Sequence, residues 1–232
     1  MQGIADWFAG IWQQFEFNII QGDRYTMLLD GLGTTATVAL GAAVIGVVLG
    51  SLVALMRLSR IRVLKAAANV YADVIRGTPV AVQLLIMWFI VLVNTPVSKT
   101  GAAILAFGLN SAAYVSEIVR GGILSIDKGQ TEAGRSLGLS SSATMMLIVI
   151  PQALKNVFPS LLNEFITLLK ETSVVGFIGL MDLTKAGDYI RSRTFSAFFP
   201  LLTVAAIYLV LVLGLSRIFA RIERRLRQSD NY

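Results

Sequence analysis

The sequence predicts an all-α integral membrane protein with five transmembrane helices, and three observations carry that expectation. Of 232 residues, 55% are hydrophobic and only 15% charged, with a mean hydropathy of +0.70, whereas soluble domains are about a quarter charged. Charge-free stretches separate Asp30 from Arg57, Arg76 from Lys99, Lys99 from Glu117, Arg135 from Lys155 and Arg193 from Arg217, and a helix needs about 20 apolar residues to cross a hydrocarbon core. Lys and Arg are shared unevenly between the connections. Together these place spans at about 30–57, 77–95, 100–119, 143–169 and 196–218, inside one membrane domain over 26–225. The absence of Cys and His excludes disulfide scaffolds, thiol nucleophiles, the common zinc, haem and Fe–S ligand sets and a histidine general base. No catalytic and no metal site is expected.

Residues 1–25 lack the basic start of a cleavable secretion signal and carry Asp6 instead. Ile4, Trp7, Phe8, Ile11, Trp12 and Phe15 recur at helical spacing against Gln13, Gln14 and Glu16, which predicts an amphipathic helix lying in the outer interface with its Trp residues in the aromatic belt. The first span carries Ala42, Gly46, Gly50 and Ala54 four apart, a small-residue stripe against which another helix can pack closely. Thr78-Pro79 opens the second span as a helix break. Arg57, Arg60, Arg62, Lys65 and Arg76 follow span one, Arg120, Lys128 and Arg135 follow span three, and Arg217, Arg221, Arg224, Arg225 and Arg227 close the chain. Cytoplasmic loops hold the Lys and Arg excess, so the N-terminus is expected outside and the C-terminus, with a tail over 226–232, in the cytoplasm. The net charge of +6 is then a record of topology, and nucleic acid is discounted as a partner.

Between spans three and four, Thr131 can cap a short cytoplasmic helix that Gly138 would end. Here Glu132-Ala133-Gly134, Gly138, then Ile148, Ile150 and Pro151 closely resemble the EAA loop of ABC importer permeases, over 128–142 and the start of span four. That pattern runs Glu-Ala-Ala, Gly, then Ile-x-Leu-Pro. Gly134 and Ile150 depart from it while keeping size and polarity class. Arg76-Gly77-Thr78-Pro79 with Gln83, residues 113–122, Pro151-Gln152-Ala153 and residues 163–173 are similar to the polar amino acid permeases, the membrane subunits of uptake systems for His, Arg, Lys, Gln and Glu.

The resemblance implies a type I ABC importer permease fold in the bacterial inner membrane. It implies a homodimer or heterodimer of permease subunits, two cytoplasmic ATP-binding subunits that hold ATP and Mg, and an external solute-binding protein. It also implies that Glu132, Ala133 and Gly138, with Arg135 beside them, couple the chain to the ATPase. No Gly-x-x-x-x-Gly-Lys-Ser/Thr loop occurs, so this chain itself is expected to be non-catalytic and to bind no cofactor. Alternating access, with two subunits rocking about their interface, is the expected mechanism.

Polar groups in the spans mark the solute route, since ionisable residues at membrane depth are costly and face a cavity or a partner. Span four departs most from the apolar rule: Pro151 and Pro159 are expected to kink it, and Lys155, Asn163, Glu164, Thr167, Lys170 and Glu171 interrupt it. Glu164 is the first candidate for solute contact through an ammonium group, followed by Asn163 and Thr167, with Thr78, Gln83, Asn110 and Tyr114 as polar wall residues. Alternatives stay open at this level. Glu164 could instead pair with Lys155 or Lys170, and Gln83, Asn110 and Tyr114 could serve helix-to-helix hydrogen bonding. Glu117 and Arg120 form an expected ion pair at helix spacing, and residues 171–193 an outer re-entrant or interfacial segment that could meet the receptor. Glu164 leans slightly toward basic solutes. The competing function is a stand-alone ion-coupled carrier or channel, which the absence of a visible inverted repeat weakens.

Overall fold

A helix satisfies every backbone N–H and C=O group within its own segment, one of the two ways a chain can do so where no water is available, and among the described residues, 2–228 of the computed structural model, all regular structure is helical. The side chains of Ile4 and Phe8, and the tail beyond residue 228, lie outside the described residues. Ten α-helices follow in order: α1 (Gln2–Phe15), α2 (Arg24–Leu58), α3 (Arg62–Arg76), α4 (Val80–Ile86), α5 (Lys99–Leu124), α6 (Lys128–Ser136), α7 (Ser141–Thr144), α8 (Ile150–Glu171), α9 (Leu183–Thr194) and α10 (Phe198–Gln228). Single π-helical turns at Glu16–Ile20, Met87–Val91 and Met145–Val149 join or extend them, and a 3-10 segment covers Thr172–Ile178.

Among the described residues, four stretches are long and apolar enough to cross a membrane: Ala9–Leu58, Lys99–Leu124, Ser141–Ile178 and Phe198–Arg225. The fifth is not a straight rod. Residues 62–76 and 80–91 meet at 106°, and the second arm, twelve residues or about 18 Å, is too short to span alone. Pro159 sits within an uninterrupted α8, and Pro151 follows a π-helical turn in its first turn, where its missing N–H is tolerated.

Helix α5 is the hub. Its partner α2 packs against it in the same direction: Gly41 meets Ile104, Gly46 meets Ser111, and Gly50 meets Val115. Ala42, Gly46, Gly50 and Ala54 are all buried, and a Cβ added at Gly50 would lie 2.6 Å from the Val115 Cβ. The small-residue stripe is therefore the seat of α5. Helix α8 crosses α5 in the opposite direction, with Glu164 beside Ser111 and Asn156 beside Ser125. Helix α10 runs against α8, Phe219 packing its ring on Phe165. As a result Arg57, Arg120 and the basic half of α10 gather at one end of the bundle.

The core has two parts. Val38, Ala42, Leu84, Ala103, Ala106, Phe107, Leu168, Val175 and Ile178 fill the centre between α2, α4, α5, α8 and the 3-10 segment. Ile19, Leu28, Leu183, Ala186, Ile190 and Val204 hold α9 on α2 and α10 at the end opposite the basic one. There Asp182 caps α9, accepting from the backbone N–H of Thr184 at 3.0 Å and Lys185 at 2.9 Å, while Thr35 Oγ1 accepts the Leu183 N–H at 3.2 Å.

Candidate functional site

The break between α3 and α4 explains several polar residues at once. Proline supplies no N–H at position 79, and the helix before it ends at Arg76. Gln83, one turn into α4, reaches back across the corner. Its Nε2 donates to the Ile75 carbonyl at 2.7 Å and to Thr78 Oγ1 at 2.8 Å, and its Oε1 accepts from Asn110 Nδ2 at 2.9 Å. The Thr78 hydroxyl donates in turn to the Val74 carbonyl at 2.9 Å. Thr78, Gln83 and Asn110 thus form one hydrogen-bonded string that closes the corner onto α5, which favours helix-to-helix bonding over a free polar wall. Tyr114, one turn beyond Asn110, lies under the Arg76 guanidinium, 5.6 Å from the ring centroid.

Beside Asn110 sits Ser111, midway along α5 and buried. Its hydroxyl donates to Glu164 Oε1 at 3.1 Å. Glu164 is half-buried, its carboxylate held by that hydroxyl. Asn163 and Thr167 are exposed on the same helix. They belong to a longer row that sequence reading missed: Gln152, Asn156, Ser160, Asn163, Thr167 and Lys170 follow at steps of three or four residues, all exposed except the half-buried Gln152. From Gln152 to Lys170 the row runs about 27 Å along α8, close to the hydrocarbon thickness. Such a row cannot face lipid and must border a protein partner or water. Its signal was the three-and-four spacing itself.

At the basic end, Glu117 collects more than the expected pair. Its Oε1 bonds Arg120, and its Oε2 lies 2.8 Å from Arg57 Nη1 and 3.3 Å from Arg76 Nη1. Arg57, only 8% exposed, is fixed further by Asn69 Oδ1 at 2.9 Å and Ser116 Oγ at 3.2 Å. One carboxylate ties α2, α3 and α5 together, against three guanidinium groups.

Helix α6 projects beyond this end. Its cap is Asp127, whose Oδ1 accepts the Gly129 N–H at 2.6 Å, so Thr131 lies inside the helix and does not begin it. Gly138 has φ +84°. Leu139 N–H donates to the Gly134 carbonyl at 3.1 Å and Gly138 N–H to the Arg135 carbonyl at 3.0 Å, the paired bonds of a Schellman stop. Arg135 Nη1 closes the turn on the Leu139 carbonyl at 2.5 Å. Glu132, Ala133, Arg135 and Gly138 are exposed together with Leu137, which is 82% exposed. Gly134 alone faces inward, where an added Cβ would lie 2.8 Å from both Thr144 Cγ2 and Ile148 Cδ1. The departure from Ala at this position is a fitted contact.

At the opposite end α9 shows Lys185, Asp188 and Arg191 as a chain of ion pairs, 3.0 and 2.7 Å. Arg191 and then Lys185 hold the Asp188 carboxyl below the usual carboxylate range. Among the described residues no group of three or more acidic side chains converges as a metal site.

The arrangement, a helical bundle with a polar seam on one exposed helix and a rigid amphipathic knob at one end, suits transport driven from outside the chain. A sequence profile described as "Binding-protein-dependent transport system inner membrane component" matches residues 46–228. The arginine transport system permease protein ArtQ of Bacillus subtilis is 40% identical over 205 residues, 88% of this chain and 94% of that one. A putative glutamine transport system permease protein GlnP of Rickettsia typhi is 38% identical over the same shares. Among solved structures, one described as the crystal structure of an amino acid ABC transporter with histidines is 42% identical, with a TM-score of 0.82 over 87% of this chain and 94% of that one. These likenesses do not favour a stand-alone carrier or channel. The chain belongs to the inner membrane components of binding-protein-dependent transport systems: it is a multi-pass, non-catalytic permease subunit of an ABC importer, with the type I importer fold.

Proposed function

We propose that this chain pairs with a second permease subunit, identical or closely related, to enclose the path of a polar amino acid across the bacterial inner membrane. The observation that carries the reading is the polar row on α8, with Glu164 anchored on Ser111 at its middle. Two such rows facing each other give a seam that lipid cannot enter. The relatives named for arginine and glutamine and the similar structure with histidines support an amino acid as cargo. Glu164 receives an ammonium group by a charge-assisted bond, worth about 1.5–3 kcal/mol, and Asn163 and Thr167 flank it. Thr78, Gln83 and Asn110 act one layer behind, holding the corner of the broken helix.

The basic end faces the cytoplasm by the positive-inside rule, which sets the N-terminus outside. There Glu132, Ala133, Arg135 and Gly138 form the contact surface of α6 for an ATP-binding subunit that holds ATP and Mg, and α9 faces an external solute-binding protein. Closure of the ATPase pair moves the two α6 knobs together and rocks the bundles between outward- and inward-open states. The test is reconstitution of the chain with its ATPase and receptor in proteoliposomes, with labelled arginine, glutamine and histidine outside. Uptake that needs both receptor and ATP is expected. Gradient-driven uptake by the chain alone would overturn the reading.

A further inference from the structure

Ser111 is 1% exposed, and its hydroxyl behaves differently from others in the helices. Helical Ser and Thr side chains commonly return their proton to a carbonyl about one turn back, as Thr35 does to Gly31, Thr37 to Gly33, Ser116 to Ala113 and Thr172 to Leu169. A serine hydroxyl has one proton to donate, and that of Ser111 goes to another helix, to Glu164 Oε1 at 3.1 Å. Among the described residues Ser111 is the hydrogen-bond partner of Glu164.

Two packing features hold the hydroxyl in that direction. On one side α2 passes at Gly46, where an added Cβ would lie 2.7 Å from Ser111 Oγ and 2.8 Å from Ser111 Cβ. The missing side chain gives the serine its place, and the bare backbone closes that side. The preceding residue, Asn110, is tied to Gln83 at 2.9 Å, which resists rotation of α5 about its axis. Adjacent helical positions point about 100° apart, so with Asn110 turned to α4, Ser111 is turned to α8. A carboxylate whose direction is set before the ligand arrives binds more tightly than one that must be ordered on contact.

We propose that Ser111 is a positioning residue for solute recognition, which orients the Glu164 carboxylate toward the ammonium group of the amino acid, and that Gly46 acts through it. The inference rests on the reading above, that Glu164 receives the solute. It gives the first span a part in recognition through a residue that has no side chain.

The test measures binding of labelled arginine, and in parallel of labelled glutamine, to the purified assembled importer. Ser111→Ala removes the donor and raises Kd about tenfold, the loss of one hydrogen bond to a charged group. A double-mutant cycle separates positioning from general damage: combined with Glu164→Ala, Ser111→Ala adds less than about twofold, because the group it positions is gone. Ser111→Cys, similar in shape with a weaker donor, falls between serine and alanine, and supplies the same cycle if the alanine variant fails to assemble. Gly46→Ala weakens binding with the same loss of additivity, whereas Gly50→Ala, which crowds Val115 one turn away, leaves Kd within about twofold of the parent. Parent-like binding by Ser111→Ala, or losses that simply add in the double variant, overturns the inference while leaving Glu164 and the transport reading in place. Equal weakening by Gly46→Ala and Gly50→Ala overturns the part given to Gly46. Binding unchanged by Glu164→Ala overturns the inference together with the reading beneath it.

Discussion

Substituting Gly50 by Ala isolates how closely α2 and α5 must approach. The added methyl would lie 2.6 Å from Val115 Cβ, 2.7 Å from Val115 Cγ1 and 2.8 Å from the Ala112 carbonyl oxygen, where ordinary carbon contacts sit at about 3.5–4.0 Å. Relief needs the helices to part by about 1 Å, and a gap of that size forfeits a quarter to a half of each contact well along the seam. Overpacking of this kind costs about 1–3 kcal/mol. Removing a helical glycine also brings a gain of about 0.5–1 kcal/mol, so Gly33 is the control: it lies on the same helix, and a Cβ there meets nothing within 4 Å. Gly33→Ala should stabilise slightly and Gly50→Ala should destabilise, leaving the two about 1–3 kcal/mol apart, since the glycine gain is common to both, or roughly 2–12 °C for a chain of this size. Thermal unfolding of the purified, detergent-solubilised importer, followed by tryptophan fluorescence, reads the difference. Equal midpoints for the two variants would refute the reasoning.

Three further outcomes follow from the same structure. Glu164→Ala should weaken solute binding to the assembled importer by about 10- to 100-fold, the loss of one charge-assisted bond, and unchanged affinity and uptake would remove Glu164 from the site. Glu132→Arg, on the exposed face of α6, should leave membrane insertion intact and abolish receptor-stimulated ATP hydrolysis and uptake; normal uptake would dismiss the coupling role. Gly138→Val forces a β-branched residue into φ +84°, at a cost of about 1–2 kcal/mol, and should make the loop after α6 a preferred site of limited proteolysis without lowering the unfolding midpoint of the spans.

Much of the fold could be read from the sequence, because lipid imposes a single strict rule on each span. Charge-free length located the apolar helices, and the basic connections identified residues that the packing of α2, α5, α8 and α10 brings to one end. The α6 loop was visible through its fixed spacing, yet its start was misread. Thr131 and Asp127 are both good caps, and only the backbone direction after Ser125 selects the earlier one. The corner at Gly77–Pro79 was visible as a break, but its angle and the dependence of the second arm on the first were not, since they are set by the contact of Gln83 with Asn110. Long-range chemistry was the least legible. Arg57 and Arg76 stand 60 and 41 positions from Glu117, and no local pattern links them. Ser111 is an unremarkable serine until α8 brings Glu164 to it.

The tight seat of Gly134 has a mechanical meaning. With no room for even a methyl group between α6 and the side chains of Thr144 and Ile148, the knob has no free play against the start of the fourth span. Asp127 at one end and the Gly138 turn at the other keep α6 from fraying under load. On the proposed coupling role of α6, this contact is where a displacement of its exposed face would first meet the fourth span. If α6 is the coupling element proposed above, loosening that fit by one side chain's width is expected to lower transport more than ATP hydrolysis.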